Sequence, residues 1–520
     1  MVAQNLHENQ AEKSTSQFVL PYTYEEEPNK AEMTALAGLP VYLDLAAVVG
    51  LSKSIKEHIS IREEQGWDDS QMVTAIILLN LSGGEHVDDL KILEADEGFC
   101  RVLRRVELSG LKRKERREIE RRWRNERRRT VPSPSSVFRY LEHFHDPEQE
   151  KQRVIGKAFI PVANQHLQGL PKVNGDLVGF TQRHTPSETA TLDMDATLTE
   201  TFKEEATHCY KGYKAYQPLN VWWAEQGVML YTEFRDGNVP AGHEQKRVLE
   251  EALKYLPEAV KTVRLRSDTA GYQHELLKYC DQTENKRFGR IEFAISCDVT
   301  LEFKKAVAEV PDEDWNLLYK ELDGEKVQSK QEWAEVCFVP NAIGHSKKGP
   351  EYRYLATREL LEQPALPGME NQQNLPFPTM GMNKKQYKIF GTVTNMNWEG
   401  GQLINWLHER CGKSEEAHRI LKEELAGGMM PSGSFGENAA WWWIAVLAFN
   451  LNALMKRLVL KESWVSKRMK AIRFSIINLP GRVISHARQL IIRIAHGHPS
   501  LELLQAARFA IAKLARAPAG

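Results

Sequence analysis

Hydrophobic and polar positions change rhythm twice along this chain of 520 residues. From Glu32 to Val106 the apolar residues fall at helical spacing. The stretches Val41 to Val49 and Met72 to Leu81 close at Gly50 and at Gly83-Gly84, where glycine stops a helix. Leu111 to Arg129 is almost wholly charged, with Ile119 and Trp123 four apart, and reads as a solvent-exposed helix or a disordered arm. Pro132-Ser133-Pro134-Ser135 ends it, and Ser135-Ser136 can cap a helix through Val137, Phe138, Tyr140 and Leu141. Residues 1–30 are polar and acidic and are expected to be disordered or loosely attached.

After Pro161 the period shortens to two. Thr189 to Asp195 alternates β-branched with apolar and acidic residues; Pro218 to Trp223 and Val228 to Phe234 follow as a hairpin turning at Glu225-Gln226-Gly227. His243 to Leu256 then reads as a helix, Thr262 to Arg266 as a strand, Gln273 to Cys280 as a helix and Ile291 to Ser296 as a strand. Three antiparallel strands followed by alternating helix and strand is the order of a ribonuclease-H-like α/β core, in which the first strand lies beside the fourth. Asp195 and Asp268 end those two strands and would be neighbours.

Residues 300–395 interrupt the core with Trp315, Trp333, the strand candidates Ala334 to Val339 and Tyr352 to Ala356, and a loop carrying Pro364, Pro367, Pro376 and Pro378. A helix from about Gln402 to Leu425, stopped at Gly427-Gly428, would put Glu415, His418, Arg419 and Lys422 on one face. The predicted organisation is therefore a helical N-terminal region, 31–160, with a basic arm at 101–130; an α/β core, 161–299 and 396–455; a β-rich insertion, 300–395; and a C-terminal region, 456–520.

Composition changes this picture little. Apolar content of 42% and charged content of 27% describe an ordinary soluble globular protein. The longest apolar run, Ala439 to Phe449, falls short of the roughly 18 residues of a membrane span and reads as a core helix. Met1 to Gln17 carries no secretory signal, and Cys100, Cys209, Cys280, Cys297, Cys337 and Cys411 form no C-x-x-C pair, which argues against a zinc site or a disulfide framework, so a reducing cytoplasm is expected.

Charge changes it more. The formal net charge of -1 hides two basic segments: 101–130 holds 14 Lys and Arg against 5 Glu, and 456–520 holds 13 against 2 acids. Each run alone is as well explained by a solvated helix face. Two of them flanking an acidic middle that holds a candidate metal site favour a polyanion partner.

The acids supply the candidate chemistry. Asp193 and Asp195 share one face of their strand, and a buried carboxylate is costly unless an Arg, a Lys or a metal ion meets it. Three carboxylates are the usual minimum for two divalent ions acting on a phosphodiester, which nominates Asp195, Asp268 and Glu415 as catalytic and metal-binding residues for Mg2+, with Mn2+ as a substitute. Arg266, Arg419 and Lys422 stand near enough in sequence to hold phosphates. Taken singly, an Asp at a strand end is a turn residue and a helix Glu a surface one. Cys411-Gly412-Lys413-Ser414 ends like a phosphate loop, but Leu407 stands where its first glycine belongs; His208-Cys209 lacks a second ligand pair; Trp441 to Trp443 read as core.

Three blocks resemble the DDE transposases of bacterial insertion sequences, in the branch with a β-rich insertion before the last acid. Leu192 to Thr197 is similar to that family's apolar strand ending in D-x-T, which marks Asp195 rather than Asp193. Leu265 to Tyr272 is similar to its D-S-G-F block. Glu415 to Lys422, continuing through Phe435 to Leu451, resembles its closing helices. Glu415 and Lys422 match the E-x6-K of the motif Y-x2-R-x3-E-x6-K, whereas His408 stands at the Tyr, Cys411 at the Arg, and Arg410 one residue out of register.

The resemblance implies a metal-dependent enzyme that binds terminal inverted repeats as a dimer or higher assembly, cleaves DNA and transfers strands in a cut-and-paste reaction. Lys422, Arg419, Arg410, Arg266 and His408 are then the candidate DNA contacts. It also implies that insertion aromatics, here Trp315 and Trp333, stack on a flipped base, against the plainer reading that both are core. Two alternatives share the fold: a DNA-binding protein without chemistry, and a ribonuclease-H-like nuclease without strand transfer.

Overall fold

The computed structural model describes residues 32–516 apart from 62–65, 126–128, 155, 284, 323, 341–351, 362–376, 384 and 488. The acidic N-terminal 30 residues and Pro364, Pro367 and Pro376 thus lie outside the described residues.

The N-terminal helices start and stop where local chemistry directs. Helix α1 (Pro40–Val49) opens with proline and ends at Gly50, whose φ of 81° turns its N–H back onto the Ala46 and Ala47 carbonyls. Helix α2 (Leu51–His58) follows at once. Helix α3 (Asp69–Ser82) begins with a capping box between Asp68 and Gln71 and ends at Gly83, φ 104°. Next come α4 (Glu97–Glu107) and the exposed α5 (Arg113–Asn125), so the charged stretch is helical. The helix Pro134–Leu141 is capped by Ser133 rather than by Ser135-Ser136: the Ser133 hydroxyl accepts from the Ser136 N–H at 3.2 Å, and Pro134 then occupies the first turn.

Helix α6 (Gly169–His184) leads into the sheet. Strands β1 (Thr189–Ala196), β2 (Leu219–Trp223), β3 (Val228–Glu233), β4 (Thr262–Ser267) and β5 (Glu292–Cys297) lie in the order β3-β2-β1-β4-β5. β1 runs antiparallel to β2 and parallel to β4, and β4 parallel to β5. This is the ribonuclease-H-like order, with β1 central; Ala190, Leu192 and Met194 on it are fully buried.

The insertion does not pack apart from this core. Its strands β6 (Asn316–Leu322), β7 (Glu325–Val336), β8 (Arg353–Leu360), β9 (Thr379–Met382) and β10 (Lys385–Thr394) continue the sheet, because β10 pairs antiparallel with β5 through Val393 and Ile295. One ten-stranded sheet results, and core edge strand β5 gains a partner instead of an open edge.

The helix expected from Gln402 to Leu425 is broken in two. Helix α7 (Gly400–His408) stops, the chain turns through Glu409, Arg410, Cys411 and Gly412 at φ 85°, and α8 (Lys413–Arg419) restarts before a π-helical turn at Ile420–Glu424. Gly412 makes the left-handed turn that periodicity alone does not register.

Helix α9 (Phe435–Leu454) fills the space between α3, α6 and β3. With its continuation to Leu460 it is long and apolar enough to cross a membrane, yet 78% of its most apolar window is covered by the rest of the chain. Its polar groups are matched: Trp441 donates to the Ala426 carbonyl at 2.7 Å, Trp442 to Thr232 Oγ1 at 3.0 Å, and Asn450 donates to Asn174 Oδ1 at 2.6 Å while accepting from the Met229 N–H at 2.8 Å. The C-terminal region folds back onto the beginning of the chain. A hairpin of Gly481–His486 and Gln489–Arg493 pairs with Met33–Thr34, and helix α10 (Ser500–Leu514) packs on α1.

Candidate active site

Asp195 is the next-to-last residue of β1, and Asp268 follows the last residue of the adjacent parallel β4. Parallel pairing delivers both carboxylates to the same end of the sheet. Asp268 is held where the chain leaves the strand: its Oδ1 accepts from the Ala270 N–H at 3.0 Å, and Ser267 donates to the Met194 carbonyl at 3.1 Å, tying the two strand ends together. Gly271 is required in this turn, since a Cβ there would come within 2.5 Å of the Ser267 side chain.

Glu415 arrives on the first turn of α8. The broken helix orients its neighbours: Ser414 donates to Asp195 Oδ2 at 3.3 Å, Arg410 Nη1 stands 3.3 Å from the same oxygen, and His418 Nδ1 lies 4.0 Å from it. Burial pushes the Asp195 carboxyl up to about 6; Arg410 pulls it down, the charges of Asp268 and Glu415 push it further up, and the Ser414 hydrogen bond lowers it. His418 is buried, and desolvation, with Lys422 and Arg410 adding to it, drops its imidazole to about 3, so it is neutral.

Asp193, one period below Asp195, is not part of this group. It is closed off by Arg266, its register partner on β4, through Nε–Oδ1 at 2.6 Å and Nη2–Oδ2 at 2.9 Å. Arg266 also donates to the Trp406 carbonyl at 2.6 Å, its guanidinium lies 5.0 Å from the Trp406 ring, and it is 1% exposed. The expectation that Arg266 holds a phosphate is corrected: it neutralises Asp193 inside the core and attaches α7 to the sheet.

The other candidate contacts are placed unequally. Arg410 faces Asp195. Lys422 donates to the Leu198 carbonyl at 3.2 Å, just past the end of β1, and burial lowers its pKa. Arg419 pairs with Glu424 at 2.7 Å and Glu416 at 3.7 Å. His408 is half-buried, its pKa lowered by burial and then by Lys320 and Arg410. Trp315 is 8% exposed with the Arg358 guanidinium 4.1 Å from its ring, and the Trp333 ring packs on Gly400, where a Cβ would meet it at 2.2 Å. Trp315 is thus a covered residue of the sheet face, and the stacking expectation for it is corrected; Trp333 spans from β7 to α7.

Sequence reasoning missed Ser414 and the Arg410–Asp195 pairing. The available signal was Gly412, a glycine inside an otherwise helical stretch.

Asp195 and Asp268 at adjacent strand ends, with Glu415 on the first turn of α8, offer hard carboxylate oxygens, a donor set that suits divalent cations. Among the described residues a tighter cluster lies elsewhere: His145, Glu150 and Glu205 offer atoms within 4.8 Å of one another. There His145 Nδ1 accepts from the Gly436 N–H at 3.4 Å, leaving the ring proton on Nε2, 3.8 Å from Glu205, so the imidazole is poorly disposed to coordinate.

A sheet of this order has the ribonuclease-H-like fold. The chain belongs to the family of transposases with a DDE domain: the family described as "Transposase DDE domain group 1" matches residues 29–364 and 374–516. It is a DDE-type transposase, a class that works on DNA with divalent metal ions. No curated protein matches the chain significantly. Among solved structures it is similar to the piggyBac transposase in a synaptic complex with hairpin DNA, at 10% identity and a TM-score of 0.39, over 93% of this chain and 82% of that one.

Proposed function

We propose that the protein is the transposase of a bacterial insertion sequence, acting in the cytoplasm on nucleoid DNA. It binds the terminal inverted repeats of its element, pairs two ends as a dimer or higher assembly, cleaves them and joins them to a target in a cut-and-paste reaction. What supports this reading is that parallel pairing brings Asp195 and Asp268 to one end of the sheet, while Ser414, the residue before Glu415, hydrogen-bonds Asp195.

Those three residues would hold Mg2+ or Mn2+, which when bound activate an attacking oxygen and stabilise a leaving one. The chain's own contribution is to hold the Asp195 carboxylate through Ser414 and Arg410, and to fix Asp268 through the Ala270 N–H. The test is cleavage of a labelled duplex carrying the repeats that flank the gene, in Mg2+ or in EDTA. Nicking at the repeat boundary that needs metal and vanishes in Asp195→Ala, Asp268→Ala and Glu415→Ala, with end binding retained, supports the reading. Full cleavage by Glu415→Ala overturns the assignment. Cleavage without joining of pre-cut ends moves it to a nuclease.

A further inference from the structure

Immediately past Asp195 the chain enters a small sheet of Thr199–Glu200, Lys214–Tyr216 and Thr207–His208. Its inner side chains, Ala206, Cys209, Ala215 and Tyr216, are buried, and the tight turn at Gly212, φ 87°, is closed by the Gly212 N–H on the Cys209 carbonyl at 2.9 Å. This flap is therefore an ordered platform. On its outside stand Phe202, 91% exposed, and Tyr210, 78% exposed. A lone exposed aromatic needs no explanation; two on one short platform that continues the chain from Asp195 do.

The surroundings select the partner. Lys211 Nζ lies 5.8 Å from the Tyr210 ring, and Lys211 is close enough to Lys422 to depress its pKa, while Lys422 itself reaches the Leu198 carbonyl between Asp195 and the flap. Lys203 and Lys214 direct their ammonium groups onto the carbonyls of Pro431, Lys203 and Glu204. Of the acids here, Glu205 is turned inward to accept from the Phe435 N–H at 2.6 Å, leaving Glu200, Glu204 and, beside Lys422, Glu423 exposed against four lysines. Flat aromatic faces interleaved with ammonium groups match a strand whose bases are unpaired and whose phosphates remain charged. Trp315, one of the two residues expected to stack, is covered by Arg358.

We propose that Phe202 and Tyr210 form a stacking surface for unpaired bases of the DNA strand led to the carboxylate triad, with Lys211 and Lys422 taking the flanking phosphates. This deepens the transposase reading and rests on it for the source of the strand.

The experiment measures, in EDTA, binding of the full-length protein to a labelled single-stranded oligonucleotide and to a blunt duplex of the same sequence. Proteins compared are wild type, the double variant Phe202→Ala/Tyr210→Ala, and the aromatic exchange Phe202→Tyr/Tyr210→Phe. The expected result is on the order of a tenfold weaker Kd of the alanine variant for the single strand, little change for the blunt duplex, and recovery by the aromatic exchange. Equal single-strand affinity overturns the proposal, as does an equal loss on both probes. A change in sedimentation with no change in single-strand binding also overturns it, by making the flap a contact between copies. Because both probes are read without metal, absence of triad-dependent cleavage would count against the transposase reading alone.

Discussion

Arg410 Nη1 stands 3.3 Å from Asp195 Oδ2, at the one carboxylate that Asp268 and Glu415 also push upward in pKa. The guanidinium sets a positive charge directly on that oxygen, so it competes with a divalent ion for it. Arg410→Ala is expected to bind Mn2+ more tightly, on the order of tenfold, a change of about 1.4 kcal/mol. Titration calorimetry or the free-Mn2+ resonance signal measures it. Weaker binding by the variant would show that Arg410 builds the site rather than occupying it.

The buried Asp193–Arg266 pair is a structural element, and its test is stability. Arg266→Ala leaves a buried carboxylate unpaired and is expected to cost about 3–5 kcal/mol in denaturant unfolding. Replacing both partners by leucine should cost clearly less, because no uncompensated charge remains. A harmless Arg266→Ala would mean that Asp193 takes up a proton at little cost.

Helix α5 projects Arg113, Lys114, Arg116, Arg117 and Arg121 into solvent. Deleting residues 111–129 is expected to lower the log-log salt slope of end binding by roughly 0.9 for each phosphate that is no longer neutralised. An unchanged slope returns this helix to a solvated surface without a partner.

Asp236 is fully buried beside Arg153, and desolvation pushes its carboxyl up to about 6, from an ordinary 3.8, against the pull of that guanidinium. Since the folded value is the higher one, the folded state keeps a proton between those limits that the unfolded chain has released. The stabilisation is complete below about 4 and is lost as pH rises through about 6. Thermal unfolding of Asp236→Asn should therefore improve relative to wild type as pH is raised across that window. A constant difference between the two profiles would remove Asp236 as its source.

The sequence by itself determined the parts that local chemistry controls. Glycines at 50 and 83 end α1 and α3 because only glycine takes their backbone angles cheaply; alternation marks β1, β2 and β3; and the placing of Asp195 and Asp268 at the ends of the first and fourth strands needs only the strand order. The folding of β10 onto β5, which makes the insertion part of one sheet, and the return of the C-terminal hairpin to Met33–Thr34 are pairings between distant segments, which no local period encodes. The same holds within the site. Arg266 and Arg410 are equally basic in the sequence, yet parallel register buries the first on Asp193, while the turn at Gly412 swings the second onto Asp195. Which charge is spent inside the fold and which remains for chemistry is decided by distance and desolvation, quantities that exist only once the strands are side by side.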